Sequence, residues 1–159
     1  MTNLVRTLRA FCARLPYHAK GQSYEHIPSR LSVDRKSHCH TWHGNNVRSD
    51  AHVSDKVGVA TVTHGPALTN CVTALTEAAR DNKPMLLLAG DTPVSKPRHL
   101  QGIDQREVVN TTGAGFVQVR APETAAKDVA RAFYMAQIER RPVVLNMPAD
   151  FMWQSTAYD

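Results

Sequence analysis

Eight histidines and three cysteines are the side chains of this 159-residue sequence best able to hold a metal or attack a substrate. Six of the histidines fall in residues 1–56, and the densest cluster is Ser37-His-Cys-His-Thr-Trp-His-Gly44. A structural zinc site takes four ligands, usually as spaced pairs. His40 and His43 stand at i, i+3 and can act together on a helix, with His38 and Cys39 beside them, but no second ligand pair follows. The pattern suits adventitious metal uptake better than a built site, so no metal ligand is assigned. Cys12, Cys39 and Cys71 have no base partner near them in sequence. They are also too few and too scattered for a disulfide scaffold, which points to a reducing, cytoplasmic setting. Cys71 lies on the apolar side of a helical pattern, where a cysteine is usually a small hydrophobe. His64, just before Gly65-Pro66, reads as a solvated turn histidine.

The elements that must position any site are legible from Val57 onward. Val57–Thr63 is a β-branched run that reads as a buried strand and stops at the turn signal His64-Gly65-Pro66. Leu68–Arg80 carries apolar residues at Leu68, Val72, Leu75 and Ala79, a helical spacing, with Thr69 and Asn70 as candidate N-caps. Asp81-Asn82-Lys83-Pro84 ends it. Met85–Ala89 is a second buried strand, Ile103–Val109 a short helical pattern and Phe116–Arg120 a third strand. Pro122–Arg140 predicts a long amphipathic helix with Ala126, Val129, Ala130, Phe133 and Ala136 or Gln137 along one side, and Pro142–Asn146 a fourth strand cut off by Met147-Pro148. Continuous apolar strands alternating with helices imply an α/β fold, a parallel sheet flanked by helices. Ligands of such sheets bind at the carboxyl ends of the strands. That directs attention to the loops 64–70, 90–105 and 147–151.

Residues 1–56 read differently. Leu4, Val5, Leu8 and Phe11 can form one helix face, which suits an ordinary first helix better than a transit peptide. After Leu15 no period persists. The organisation expected is an irregular segment 1–56, an α/β domain 57–153 and a tail 154–159. The net charge of +5 sits in the first segment, with nine Lys/Arg against four Asp/Glu, while residues 57–159 carry ten of each. A basic patch can serve nucleic acid, but no nucleic-acid motif accompanies it. Hydrophobic residues at 42% and charged residues at 21% are ordinary globular usage. No apolar run approaches the roughly 20 residues of a membrane span.

Residues 57–153 resemble the N-terminal, pyrimidine-binding domain of thiamine-diphosphate enzymes, in particular the acetolactate-synthase-like group. Val57-Gly-Val-Ala-Thr-Val-Thr-His-Gly-Pro-Ala-Leu-Thr-Asn70 is similar to that family's strand and Gly-Pro-Gly-x-x-Asn turn. Glu77–Pro93 matches its next helix and strand. Leu100-Gln-Gly-Ile-Asp-Gln105 is similar to its Phe-Gln-Glu-x-Asp-Gln segment, and Arg140–Asp150 to its closing Gly-Pro-Val-x-x-x-x-Pro-x-Asp. The motifs occur in the family's order and spacing, with Ala67 in place of the turn's second glycine and Gly102 in place of the acid after Gln101. The resemblance implies thiamine diphosphate as cofactor, with Gly65, Pro66, Ala67 and Asn70 as cofactor-binding residues and Gln101 as the catalytic candidate. A turn at a strand end can offer backbone groups to an aminopyrimidine, Gly65 permits close approach, and Gln101 offers a donor and an acceptor to a substrate. Ala67 would be strained if its position required a positive φ.

The same resemblance marks what these 159 residues do not contain. The family's ring-activating glutamate falls, by ungapped counting, on His40, or with a deletion on Gly44, and neither is a carboxylate. The only glutamate before Glu77 is Glu25. Ala51–Lys56 is similar to the family's Gly-Tyr-Ala-Arg segment with its glycine and tyrosine replaced, as a frameshifted or truncated reading frame would leave it. No Gly-Asp-Gly…Asn-Asn segment for the diphosphate and its Mg2+ is present, nor a middle domain for the FAD that some relatives bind. The expectation is thiamine diphosphate binding as the N-terminal domain or fragment of a 2-keto acid carboligase or decarboxylase, inactive in isolation. The alternatives are a non-catalytic remnant pairing with itself or a full-length relative through the family's dimer surface, and a basic His-rich binding module. Marginal stability is expected as well, because a sheet without its first βα unit leaves apolar faces uncovered.

Overall fold

The computed structural model describes residues 57–96 and 98–154. The readings made on residues 1–56, including the histidine cluster, His40, Gly44, Cys12 and Cys39, and on the tail beyond Gln154, lie outside the described residues.

Four strands form one sheet: β1 (Gly58–Val62), β2 (Met85–Asp91), β3 (Gly115–Gln118) and β4 (Pro142–Pro148), in the order β1-β2-β4-β3. Every pairing is parallel. The register places Val62, Ala89, Asn146 and Gln118 in one row across the carboxyl half of the sheet. β2 and β4 have neighbours on both sides, and their residues are buried except Asp91, which is half-buried. β1 was read as a buried strand. Among the described residues it pairs on one side only, Thr61 is exposed and only Ala60 is fully buried. An edge strand lacks the second neighbour that would cover it, and β-branched composition does not distinguish the two situations.

The helical pattern after β1 resolves into two helices, α1 (Pro66–Thr69) and α2 (Val72–Arg80). Cys71, at φ −93 and ψ −3, is the N-cap of α2, with no side-chain cap hydrogen bond. Thr69 and Asn70 therefore cap nothing at an N-terminus; Thr69 donates its hydroxyl to the Pro66 carbonyl at 2.9 Å. Leu68, Cys71, Leu75 and Ala78 still share one buried face that meets Leu87, Ala89, Val109 and Val144. Fully burying a leucine or valine side chain contributes about 1.5–3 kcal/mol, so this cluster contributes substantially to cohesion. Asn82, at φ 51, reverses the chain after α2. The amide of Lys83 then returns to the Ala78 carbonyl at 2.9 Å, a Schellman-type stop.

α3 (Gln105–Asn110) leads to β3. A 3-10 turn, Pro122–Thr124, precedes α4 (Ala125–Glu139). α4 buries Val129, Ala132 and Ala136, small residues at i, i+3 and i+7 that let the helix settle on the sheet. The predicted partners Ala126, Ala130 and Phe133 are only half-buried at the margin of that stripe. β4 runs through Met147-Pro148 rather than stopping at Asn146, and a 3-10 turn, Ala149–Trp153, follows. No helix among the described residues is long and apolar enough to cross a membrane.

Candidate functional site

The loops at the carboxyl ends of the strands converge, and Gly65 is where two of them touch. Gly65 takes φ +62, and a Cβ built there would stand 2.1 Å from the Gln101 carbonyl oxygen. The positive φ and the collision each demand glycine. The close approach that glycine permits is thus to the chain's own loop. Pro66 occupies the first turn of α1, where its missing N–H costs nothing. Ala67 is buried inside α1 and is not among the positive-φ residues, so the strain foreseen for it is absent. Asn70 is exposed at the C-cap of α1, its amide bonded to the Pro66 carbonyl at 3.1 Å.

The polar groups of Gly65 are already engaged. Its carbonyl accepts from the amides of Leu68 (2.9 Å) and Thr69 (3.2 Å). Its N–H donates to Gln105 Oε1 at 2.9 Å. Gln105 is 3% exposed, and its Nε2 donates to the Gly90 carbonyl (2.8 Å) and to Asn146 Oδ1 (2.5 Å). Asn146, 1% exposed, donates its Nδ2 to Asp91 Oδ2 (2.5 Å) and Gln118 Oε1 (2.8 Å). These side chains tie the turn after β1 to the carboxyl ends of β2, β3 and β4. Buried amides are tolerable only when their hydrogen bonds are satisfied, and both amides here meet that condition.

The second loop is pinned from two directions. Asp150, the last residue of the Pro-x-Asp motif, accepts the amides of Val94 (3.3 Å) and Ser95 (3.4 Å) through its two carboxylate oxygens. Asp104 is the N-cap of α3, its Oδ1 accepting from the Glu107 amide at 3.1 Å. Between these points lies an open depression lined by Thr92, Arg98, His99, Gly102, Ile103 and Asp104. The ring of His99 meets that of His64 edge-on at 5.0 Å, and His64 Nε2 is buried without a hydrogen-bond partner. His64 is therefore a half-buried packing residue, not a freely solvated one. Gln101 is exposed beside Gly65.

Cys71 is 2% exposed and burial pushes its thiol up to about 11, which fits a core hydrophobe and not a nucleophile. Among the described residues no group of three or more His, Cys, Asp or Glu could hold a metal ion.

The structure thus gathers Gly65, Pro66, Ala67, Asn70 and Gln101 at one end of the sheet. It also adds residues that the sequence reading passed over: Gln105, Asn146 and Asp91. A signal for Asn146 was present, since it is the one amide in the apolar run Pro142–Met147. A carboxamide inside a buried strand needs a partner.

A parallel α/β sheet with its polar groups and loops collected at the carboxyl end is the arrangement in which open α/β sheets place their ligand sites. Residues 49–111 match the family described as "Thiamine pyrophosphate enzyme, N-terminal TPP binding domain". The acetolactate synthase large subunit of Lactococcus lactis subsp. lactis (strain IL1403) is 30% identical over 146 residues, 87% of this chain and 24% of that protein. 2-Hydroxyacyl-CoA lyase 2 of Homo sapiens is 35% identical over 106 residues, 65% of this chain and 17% of that protein. Acetolactate synthase of Mycobacterium leprae (strain TN) is 32% identical over 116 residues, 69% of this chain and 18% of that protein. By this match and these relatives, the α/β unit is similar to the N-terminal cofactor-binding domain of the thiamine-diphosphate enzymes and to the corresponding part of the acetolactate synthases. The chain spans between about a sixth and a quarter of the length of these relatives. The family match begins eight residues before Val57 and so takes in the segment Ala51–Lys56.

Proposed function

We propose that this chain binds the aminopyrimidine of thiamine diphosphate at the carboxyl end of its sheet, as the N-terminal part of a 2-keto acid carboligase or decarboxylase. The observation that supports this reading is the family match over residues 49–111, which contains the turn at Gly65. Within the site, the exposed ring of Pro66 and the side chains of Asn70 and Gln101 are the groups free to meet a ligand. Gly65 and Ala67 give the turn its shape, and their backbone is committed to the fold. The described residues offer a platform for a flat heteroaromatic ring but no acidic cluster for Mg2+. Diphosphate and metal would have to be held elsewhere, and FAD has no assigned residues here. When bound, the cofactor supplies the carbanion chemistry on 2-keto acids. This chain's own residues orient the pyrimidine, with Gln101 aimed at the substrate side.

The 159 residues alone form no acetolactate from pyruvate in this account. They contain no carboxylate at His40 or Gly44 to hold a proton opposite the ring nitrogen, a contribution worth about 10²–10⁴-fold where general acid–base catalysis operates. Affinity for thiamine diphosphate is on the order of millimolar or weaker, because one ring supplies few contacts. Acetolactate formation by the purified chain, or micromolar thiamine diphosphate binding by calorimetry, contradicts this. Activity appearing on mixing with a diphosphate-binding domain of an acetolactate synthase favours a working enzyme part; its absence favours the remnant that only pairs with a full-length relative.

A further inference from the structure

The geometry points to Gln105 and Asn146 as positioning residues whose amides form a directional relay, set by the Asp91 carboxylate, that holds the Gly65 turn in its ligand-facing shape. That this shape serves a cofactor rests on the function proposed above; the relay itself does not.

The direction follows from which groups can donate. A carboxylate only accepts. Asp91 Oδ1 takes the Thr92 amide at 2.7 Å and the Thr92 hydroxyl at 3.4 Å. Oδ2 is left for Asn146, which must therefore present its NH2. The second hydrogen of that NH2 goes to Gln118 Oε1 at 2.8 Å. Gln118 is oriented to receive it because its own Nε2 donates to the carbonyls of Val119 (3.2 Å) and Asn146 (3.4 Å). With its NH2 committed, Asn146 can turn only its oxygen toward Gln105. Gln105 must answer with its NH2, whose other hydrogen meets the Gly90 carbonyl, and so presents Oε1 to the Gly65 N–H. Flipping Gln105 would set donor against donor at Gly65 and acceptor against acceptor at Gly90. The two ends of the relay demand the same sense.

The relay matters because Gly65 is the residue with least intrinsic preference for its conformation. Glycine visits both signs of φ readily, so a turn pivoting on it needs an external constraint. Gln105 supplies that constraint from forty residues away. It also stands one helical residue beyond Asp104, so the same short helix fixes the loop that carries Gln101. The two ligand-facing loops thus share one buried anchor.

The test is a double-mutant cycle read by amide hydrogen exchange on the full chain. Asp91→Asn removes the acceptor-only end and sets an NH2 either against the Asn146 NH2 or, flipped, against the Thr92 N–H. Asn146→Asp sets two carboxylates face to face. The pair Asp91→Asn/Asn146→Asp restores a donor–acceptor contact between 91 and 146 and keeps an acceptor facing Gln105, while the donor to Gln118 Oε1 stays lost. Each single substitution is expected to speed Gly65 amide exchange roughly tenfold or more, and the pair to exchange at least about threefold more slowly than the two single effects combined. The amides of Leu87 and Val144 serve as the reference for global stability. Native Gly65 exchange in the single variants, or a pair as fast as the sum of its parts, overturns the relay. Should Asn146→Asp fail to fold alone, recovery of folding on adding Asp91→Asn reports the same coupling, and failure of the pair to fold counts against it. Thiamine diphosphate added to the native chain, Asp91→Asn and the pair reads the positioning role. Ligand-induced shifts at the Asn70 and Gln101 amides should weaken in the single variant and recover at least in part in the pair. No shifts in the native chain would sink the cofactor reading and the positioning role with it, while the exchange cycle still decides the relay.

Discussion

The two ends of the sheet are made of different material. At the amino end β2 and β4 begin at Met85 and Pro142, both buried, with Val143 between Leu86 and Gly115 in the register. Toward the carboxyl end stand Asp91 of β2, Asn146 of β4 and Gln118 of β3, with Asn146 joined to the other two side chain to side chain. The apolar half can be satisfied by any well-packed hydrophobic set. The polar half is satisfied only by particular atoms in particular orientations. The lesson is a division of labour along each strand: the first residues hold the fold together, and the last residues aim the loops.

The comparison can be broken most severely at the apolar end. Leu87→Ala, in the middle of β2 at 1% exposure, should lower stability by about 2–5 kcal/mol. Urea unfolding measures this, and a loss below 1 kcal/mol would mean that the site collapses around the cavity. At the carboxyl end Gly65→Ala adds a Cβ against the Gln101 carbonyl at a positive φ. Backbone strain of this kind costs about 1–3 kcal/mol, and here it should also displace the 98–104 loop. Amide shifts concentrated at residues 64–70 and 98–105, with strand amides unmoved, would sharpen the distinction. Shifts spread evenly through the core would erase it.

A smaller effect separates the buried thiol from any reactive role. Burial raises the Cys71 thiol to about 11 in the folded chain, above its value in the unfolded chain. The unfolded thiol ionises first as the pH rises. Stability conferred by the neutral thiol is therefore complete at neutral pH and is lost as pH climbs through the window from the unfolded value toward 11. By pH 10 the loss should be about 1 kcal/mol, and it should vanish in Cys71→Ala. At pH 8 alkylation of Cys71 should require unfolding; rapid labelling of the folded chain would contradict its placement.

Much of this was legible in the residues. Strand runs, the Gly-Pro turn and the alternation of strand and helix give the parallel sheet, because burial on both faces requires continuous apolar runs. The break between α1 and α2 was not legible. Leu68, Cys71, Leu75 and Ala78 keep helical spacing across it, so the period carries no mark of the interruption at Asn70 and Cys71. The single pairing of β1 among the described residues was hidden for a related reason, since Val59 and Val62 look the same with one neighbour or two. At the site, Gly65 and Gln101 were visible as motif residues, but their mutual contact is a tertiary fact between loops. Gln105 and Asn146 stood in those motifs without a role, because a carboxamide shows its partners only once the chain has folded.

In the function proposed above, the carboxyl end of this sheet meets the pyrimidine of the cofactor and nothing beyond it. The direct measurement is an amide chemical-shift map of the chain titrated with thiamine diphosphate and, separately, with thiamine. Shifts are expected to be confined to the loops around Asn70 and Gln101, of similar size and similar weak affinity for both ligands, because they share the pyrimidine. Shifts at the amino end of the sheet, or thiamine diphosphate binding far more tightly than thiamine, would contradict it.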